Sequence, residues 1–257
     1  MEKILVPTDL SDHSELALMY AIDLGLKDKA QIILFNEVLK EEELDQANDG
    51  LQKEISEIKT QHSQGAELNI EHKSDKGSVL EGINKMLKED KYDLISMVTH
   101  DDVDSTIGSI SSKIVQKGKA PSLLVPENNT YKKIENILVV NDFTDARTDE
   151  PAFKHLNTLI QKIGAKTLVL QATAQDNKAK SAEDISSVMG EVKAEQNEKI
   201  SFDTYQDFIS KIKGYVNKHN INMIFLPSSQ AIFEKIFVGN FSRKLSLEIK
   251  IPVYIYF

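Results

Sequence analysis

Three aspartates, Asp101, Asp102 and Asp104, stand in the run MVTHDDVDSTIGSIS, between an apolar segment ending at Thr99 and a Gly108-Ser109 pair. A strand that hands over to a helix at such a point often holds a phosphate on glycines and free backbone amides. Carboxylates suit a divalent cation instead. A trio of this kind is usually a solvated acidic loop, so no metal is expected; if one binds, these three residues are its ligands. Two further aspartates, Asp9 in KILVPTDLSD and Asp142 in NILVVNDFTD, follow short apolar runs. Each suits either a ligand contact or the cap of the helix that follows, and the two roles are compatible. His100 could act as a general base, yet a lone histidine at a strand end more often packs and hydrogen-bonds. The six histidines (13, 62, 72, 100, 155 and 219) have no metal-ligand spacing. There is no G-x-S-x-G elbow, P-loop or dinucleotide fingerprint, and no cysteine. Catalysis is therefore not expected.

The chain has 257 residues, enough for two domains that each bury a core without disulfides. Its 31 basic and 40 acidic residues give a net charge of −9, which argues against nucleic acid or an anionic membrane as partner. The start lacks the apolar stretch of a signal peptide, and no run of ~18 apolar residues follows. The expectation is a cytoplasmic protein.

The sequence is written twice. KILVPTDLSD aligns without gaps on NILVVNDFTD, so that Ile4, Leu5, Val6, Asp9 and Asp12 recur as Ile137, Leu138, Val139, Asp142 and Asp145. GSISSKIVQKGKAPSLLV (from Gly108) aligns likewise on GNFSRKLSLEIKIPVYIY (from Gly239). Each copy alternates β-branched apolar runs with amphipathic stretches. Leu44, Ala47, Leu51, Ile55 and Ile58 share one helical stripe; Leu80, Ile83 and Leu87 share another, repeated by Ile209, Ile212 and Val216. Ser11 or Asp12 is the expected N-cap of the first helix. Five strands joined by helical crossovers predict an α/β fold: two tandem doubly wound domains, each a five-stranded parallel sheet with helices on both faces. The expected domains are 1–128 and 133–257, with 129–132 as linker. Ligands of such sheets bind beyond the carboxyl ends of the strands, where strand order switches, which points to Pro7-Thr8-Asp9 and to Thr99-His100-Asp101.

KILVPTDLSDHSELALMYAIDL, YDLISMVTH, a following GS and KAPSLLV resemble the universal stress protein family, and both copies share the pattern. The resemblance implies the same five-stranded sheet. It also implies a site for ATP or AMP, because ATP-binding members use an aspartate after the first strand and a G-x-x-G-x9-G-[ST] loop after the fourth. Carried onto this chain, Pro7, Thr8, Asp9, Thr99, His100, Gly108 and Ser109 are the implied nucleotide contacts, with Asp142 in the second copy.

The match is partial. Val98 and Asp101 stand at the first two loop glycines, and only the six residues from Asp102 to Ile107 precede Gly108. Glu37 stands where the family has a small apolar residue against the base. In the second copy Ala172 replaces Glu37, but Pro227 and Gln230 take the glycine positions and Asn240 the serine. Valine and proline prevent the close backbone approach a phosphate needs. One like-charge pair at 4 Å costs ~1 kcal/mol in water and ~4 kcal/mol near a protein surface. The expectation is a non-enzymatic stress-response protein with degenerate nucleotide pockets and no required cofactor. It would act on a protein partner or by self-association through its fifth strands, PSLLVP and PVYIYF, expected to lie at adjacent edges. The alternative is an ATP- or AMP-binding module that uses one domain or magnesium, with slow hydrolysis.

Overall fold

The computed structural model describes residues 1–62, 68–100, 106–117, 120–143, 146–174, 181–227 and 241–257. The chain divides into two compact units, Met1–Tyr131 and Lys132–Phe257. Asp101, Asp102, Asp104, Gln230, Gly239 and Asn240 fall outside the described residues, as do the side chains of Gly108 and Ser109.

In the first unit the order is β1(Lys3–Pro7), α1(Asp12–Gly25), β2(Gln31–Val38), α2(Leu44–His62), β3(Ile70–Lys76), α3(Val79–Glu89), β4(Leu94–Thr99), α4(Thr106–Lys117) and β5(Ser122–Pro126). The strands are parallel and lie in the order β3-β2-β1-β4-β5. β1 therefore has β2 on one side and β4 on the other, and order reverses between β1 and β4. Ile4, Leu5 and Val6 are fully buried, as a strand covered on both faces requires. β3 is the edge: of its seven residues only Ile70 is buried. α1 begins at the Ser11 N-cap, whose side chain accepts from the Ser14 amide, and buries Ala17, Tyr20, Ala21 and Leu24.

The second unit repeats the plan: β6(Asn136–Asn141), α5(Ala146–Ile163), β7(Lys166–Ala174), α6(Ala182–Met189), β8(Gln196–Phe202), α7(Tyr205–His219), β9(Met223–Leu226), α8(Phe241–Ile249) and β10(Val253–Ile255). Its parallel order is β8-β7-β6-β9-β10. Ile209, Ile212 and Val216 are buried, as their spacing predicts. The corresponding stripe of α3 is displaced. Gly82, Ile83 and Met86 are its buried residues rather than Leu80, Ile83 and Leu87. The Glu37 carboxylate lies over Gly82, in the space a side chain there would fill. A second difference concerns α4, which starts at Thr106 and not at Gly108. Gly108 thus lies in the first turn, where backbone amides have no partner within the helix.

The segment after β5 folds back on α1. Asn129 Nδ2 donates to the Tyr20 hydroxyl at 2.8 Å, and the Tyr131 hydroxyl donates to Asp23. The rings of Tyr20 and Tyr131 lie 5.1 Å apart. Burial, then the hydrogen bond to Asp23, raise the pKa of Tyr131, so the hydroxyl stays a donor. Tyr131→Phe is expected to lower urea stability by ~1 kcal/mol, the net worth of one hydrogen bond. Tyr131→Ala should cost more because the ring contact goes with it. Equal stability of all three proteins would show that the segment is not held.

Candidate functional site

The carboxyl end of β1 is tied to its surroundings before any ligand is considered. The Thr8 amide donates to the Phe35 carbonyl at 2.8 Å, and Asn36 Nδ2 donates to the Thr8 carbonyl at 2.9 Å. Thr8 Oγ1 meets Ser14 Oγ at 2.7 Å and accepts from the Leu10 amide at 2.9 Å. Leu10 turns the chain with φ 62°, in the left-handed region that a bulky residue enters only at a cost. Asp9 then reaches forward. Its Oδ1 accepts from the Ser11 hydroxyl at 2.6 Å and the Ser11 amide at 3.1 Å. Asp9 is therefore the residue that orients the cap, and Ser11 is the cap itself. Burial pushes the Asp9 carboxyl up, but the Ser11 hydrogen bonds and nearby His100 prevail and hold it below its ordinary value.

Among the implied contacts, Pro7, Thr8, Asp9 and His100 line one small cleft together with Ser14, Val98 and Ser111, which sequence reasoning did not single out except for Val98. Its volume is about 50 Å³, room for a water or two. Thr99 is brought close but buried, with its hydroxyl 3.4 Å from the Val125 carbonyl on β5. His100 Nδ1 meets Glu127 Oε2 at 2.7 Å, and its ring lies 6.5 Å from that of His13. The His100–Glu127 contact joins the ends of β4 and β5. Among the described residues no group of three or more His, Asp or Glu side chains is gathered to hold a metal ion.

A wider groove opens on the other side of Asp9, between the Leu10 turn, the end of β2 and α2, with a volume of about 740 Å³. It is acidic. Glu37 lies against Gly77 and Gly82, where an added Cβ would come within 3.1 Å and 1.6 Å of its oxygens. Oε2 of Glu37 is buried and, among the described residues, has no hydrogen-bond partner. Burial raises its pKa, helped by Asp75 and Glu81 and opposed by Lys85. On α2 both carboxyl oxygens of Glu54 are buried without a partner among the described residues. Burial, then Glu15, Asp9 and Glu57, push its pKa up to about 7. No sequence signal marks Glu54, because an acid on an amphipathic helix reads as solvated.

The second unit repeats the turn. The chain leaves β6 through Asp142 and Phe143, with Phe143 at φ 57°. The Phe143 amide donates to Asn141 Oδ1 at 3.2 Å, as Leu10 does to Thr8, and Gln171 Nε2 donates to the Asp142 carbonyl at 3.3 Å. Here Asp142 is 1% exposed, and Asn141 Nδ2 donates to Asp149 at 2.7 Å. Pro227, at the end of β9, is buried.

A family model for universal stress proteins matches residues 1–126. The matched half belongs to the universal stress protein family. No curated protein matches the chain in sequence. Solved structures extend the likeness of fold to both halves. A universal stress protein from Archaeoglobus fulgidus is 16% identical, with a TM-score of 0.67 over 99% of this chain and 95% of the other. A putative universal stress protein from Pseudomonas aeruginosa is 13% identical, with a TM-score of 0.62 over 100% and 93%. The cytoplasmic domain of a prokaryotic cation chloride cotransporter is 12% identical, with a TM-score of 0.53 over 99% and 94%. At these identities the likeness is one of fold. Two tandem universal stress protein folds account for the whole chain.

Glu54 gives the site a signature in pH. Its native pKa, about 7, exceeds the ordinary 4.5, so the native state holds its proton more tightly than the unfolded one. The stabilisation is complete below pH 4.5 and is lost as pH rises toward 7 and above. Unscreened, the shift is worth ~3 kcal/mol; partial exposure reduces this to ~1–2 kcal/mol. Glu54→Gln should therefore stabilise the protein by that amount at pH 8 and change little at pH 4.5. A gain of equal size at both pH values would refute the assignment.

Proposed function

We propose that this protein is a non-enzymatic member of the universal stress protein family, acting by protein contact, in which neither nucleotide pocket is used for ATP. The observation that carries the reading is Glu37. Its carboxylate occupies the space beside Gly77 and Gly82, at the position where the family sets a small apolar residue against the base. Asp9, held as an anion, lines the same groove as Glu37, so a triphosphate would meet charge of its own sign. The 50 Å³ cleft at His100 is far below the ~300 Å³ that small-molecule sites begin at. In the second unit Pro227 removes one amide from the loop and the Asp142 side chain is buried. The cotransporter domain supports a binding role, since the same fold there is a part of a larger protein. Localisation in the cytoplasm and a role in stress response belong to this reading as well.

The decisive measurement is calorimetry with ATP in EDTA. Binding weaker than ~100 μM is expected, an affinity worth only ~5.5 kcal/mol. Micromolar affinity would overturn the reading. Tight binding that appears only with magnesium would do so too, and would make Asp101, Asp102 and Asp104 the metal's ligands.

Self-association through the fifth strands β5 and β10 is part of the same proposal: each comes last in its own unit's strand order, so a unit expressed alone would offer that strand's backbone groups to another chain. Residues 1–131 alone should sediment as a dimer or larger. A well-behaved monomer would count against this surface.

A further inference from the structure

Of the residues described, three large apolar side chains are exposed: Leu10 at 38%, Leu26 at 39% and Leu39 at 80%. Two of the three, Leu10 and Leu39, line the 740 Å³ groove of the first unit. Its other apolar lining comes from Val38, Ala47 and Gly50. Leu10 packs so closely on Gly50 that a Cβ there would meet it at 2.9 Å, so the turn and α2 form one continuous wall.

Leu10 is also strained. A non-glycine residue in the left-handed region costs about 1–3 kcal/mol and persists where the surrounding structure or function requires it. The second unit supplies an internal control. Phe143 takes the same conformation at the equivalent turn, but it is 2% exposed and stacks on Phe153 at 5.9 Å. There burial offsets the strain. In the first unit the same turn presents its side chain to an open groove.

We propose that this groove is a docking surface for a short basic segment of a partner protein, one that carries a large apolar side chain between its cationic groups. The charge selects the partner. Among the described residues Asp9, Glu37, Glu43 and Asp49 line the groove against one cation, Lys53, which lies 3.8 Å from Glu57. An acidic segment or an anionic lipid surface is repelled. A small polycation satisfies the carboxylates but leaves Leu10 and Leu39 in water, whereas an apolar side chain flanked by lysine or arginine covers both. Full burial of one such side chain is worth about 1.5–3 kcal/mol. The inference rests on the reading of the chain as an interaction protein and names the chemistry of its partner. The ATP measurement tests that reading independently of this surface.

The test uses the full chain and a fluorescent amphipathic peptide of about 14 residues, built only of lysine and leucine, followed by anisotropy at about 0.15 M salt. Binding near or below ~10 μM is expected. The same peptide with serine in place of leucine should bind at least ~10-fold more weakly, and with glutamate in place of lysine not at all. Leu39→Ser, at a residue too exposed to affect folding, should weaken binding about fivefold. The double reversal Glu43→Lys/Asp49→Lys should weaken it ~10-fold or more. Reversal of Glu183 and Glu191 in the second unit, which changes net charge equally, should leave affinity within twofold. Unchanged affinity in Leu39→Ser, equal binding of the leucine and serine peptides, or equal loss from the distant reversal would overturn the proposal. Loss with the charge variants alone, reproduced by spermine competition, would also overturn it by making the groove a site for small polycations.

Discussion

The backbone leaves β1 through Leu10 and β6 through Phe143, both in the left-handed region, and in each case the amide of the strained residue is held by the side chain two positions earlier. That turn is what lets a parallel strand, flanked on both sides, deliver its chain to a helix on one face without a glycine. Once it is set, Ser11 falls into the cap position, Asp9 reaches Ser11, and Ser14 closes on Thr8. The carbonyl of Thr8 then faces Asn36 on the neighbouring strand. Everything that distinguishes the site, including which carboxylates meet there, depends on this few-residue device at the switch point.

Acid then determines what the site can accept. Asp9 is stabilised as an anion by hydrogen bonds, while Glu37 and Glu54 are raised by burial and by other carboxylates. The three acids shift in opposite directions, and among the described residues one oxygen of Glu37 and both of Glu54 have no hydrogen-bond donor. Buried carboxylates of this kind are costly, and they are tolerated here because protonation relieves Glu54 near neutrality.

Much of the fold was legible in the residues. Short runs such as KILVP and NILVV read as strands buried on both faces, and their recurrence pointed to the same kind of parallel sheet in each unit. The Ser11 cap and the Ile209, Ile212, Val216 face followed from local chemistry. The site was legible as a place rather than as a mechanism. Pro7, Thr8, Asp9 and His100 converge, yet the α3 face was misjudged, and the spacing along α3 gives no sign that Glu37 of β2 lies over Gly82. Glu54 was invisible for a similar reason: its environment is supplied by Asp9 and Glu15, far away in sequence. Left-handed leucine and phenylalanine carry no local signal at all, since neither residue favours that conformation.

The two copies of the turn also differ in what they permit to change. Phe143 is sealed against Phe153, so almost any replacement there opens a void in the second unit's core. Leu10 and Leu39 hold no such position, and their replacement disturbs little beyond the surface they form. A duplicated chain with one copy locked and the other open can drift at the open copy without risking the fold. The side chains around the open turn can thus be exchanged one at a time, while those around the sealed turn are held by the core.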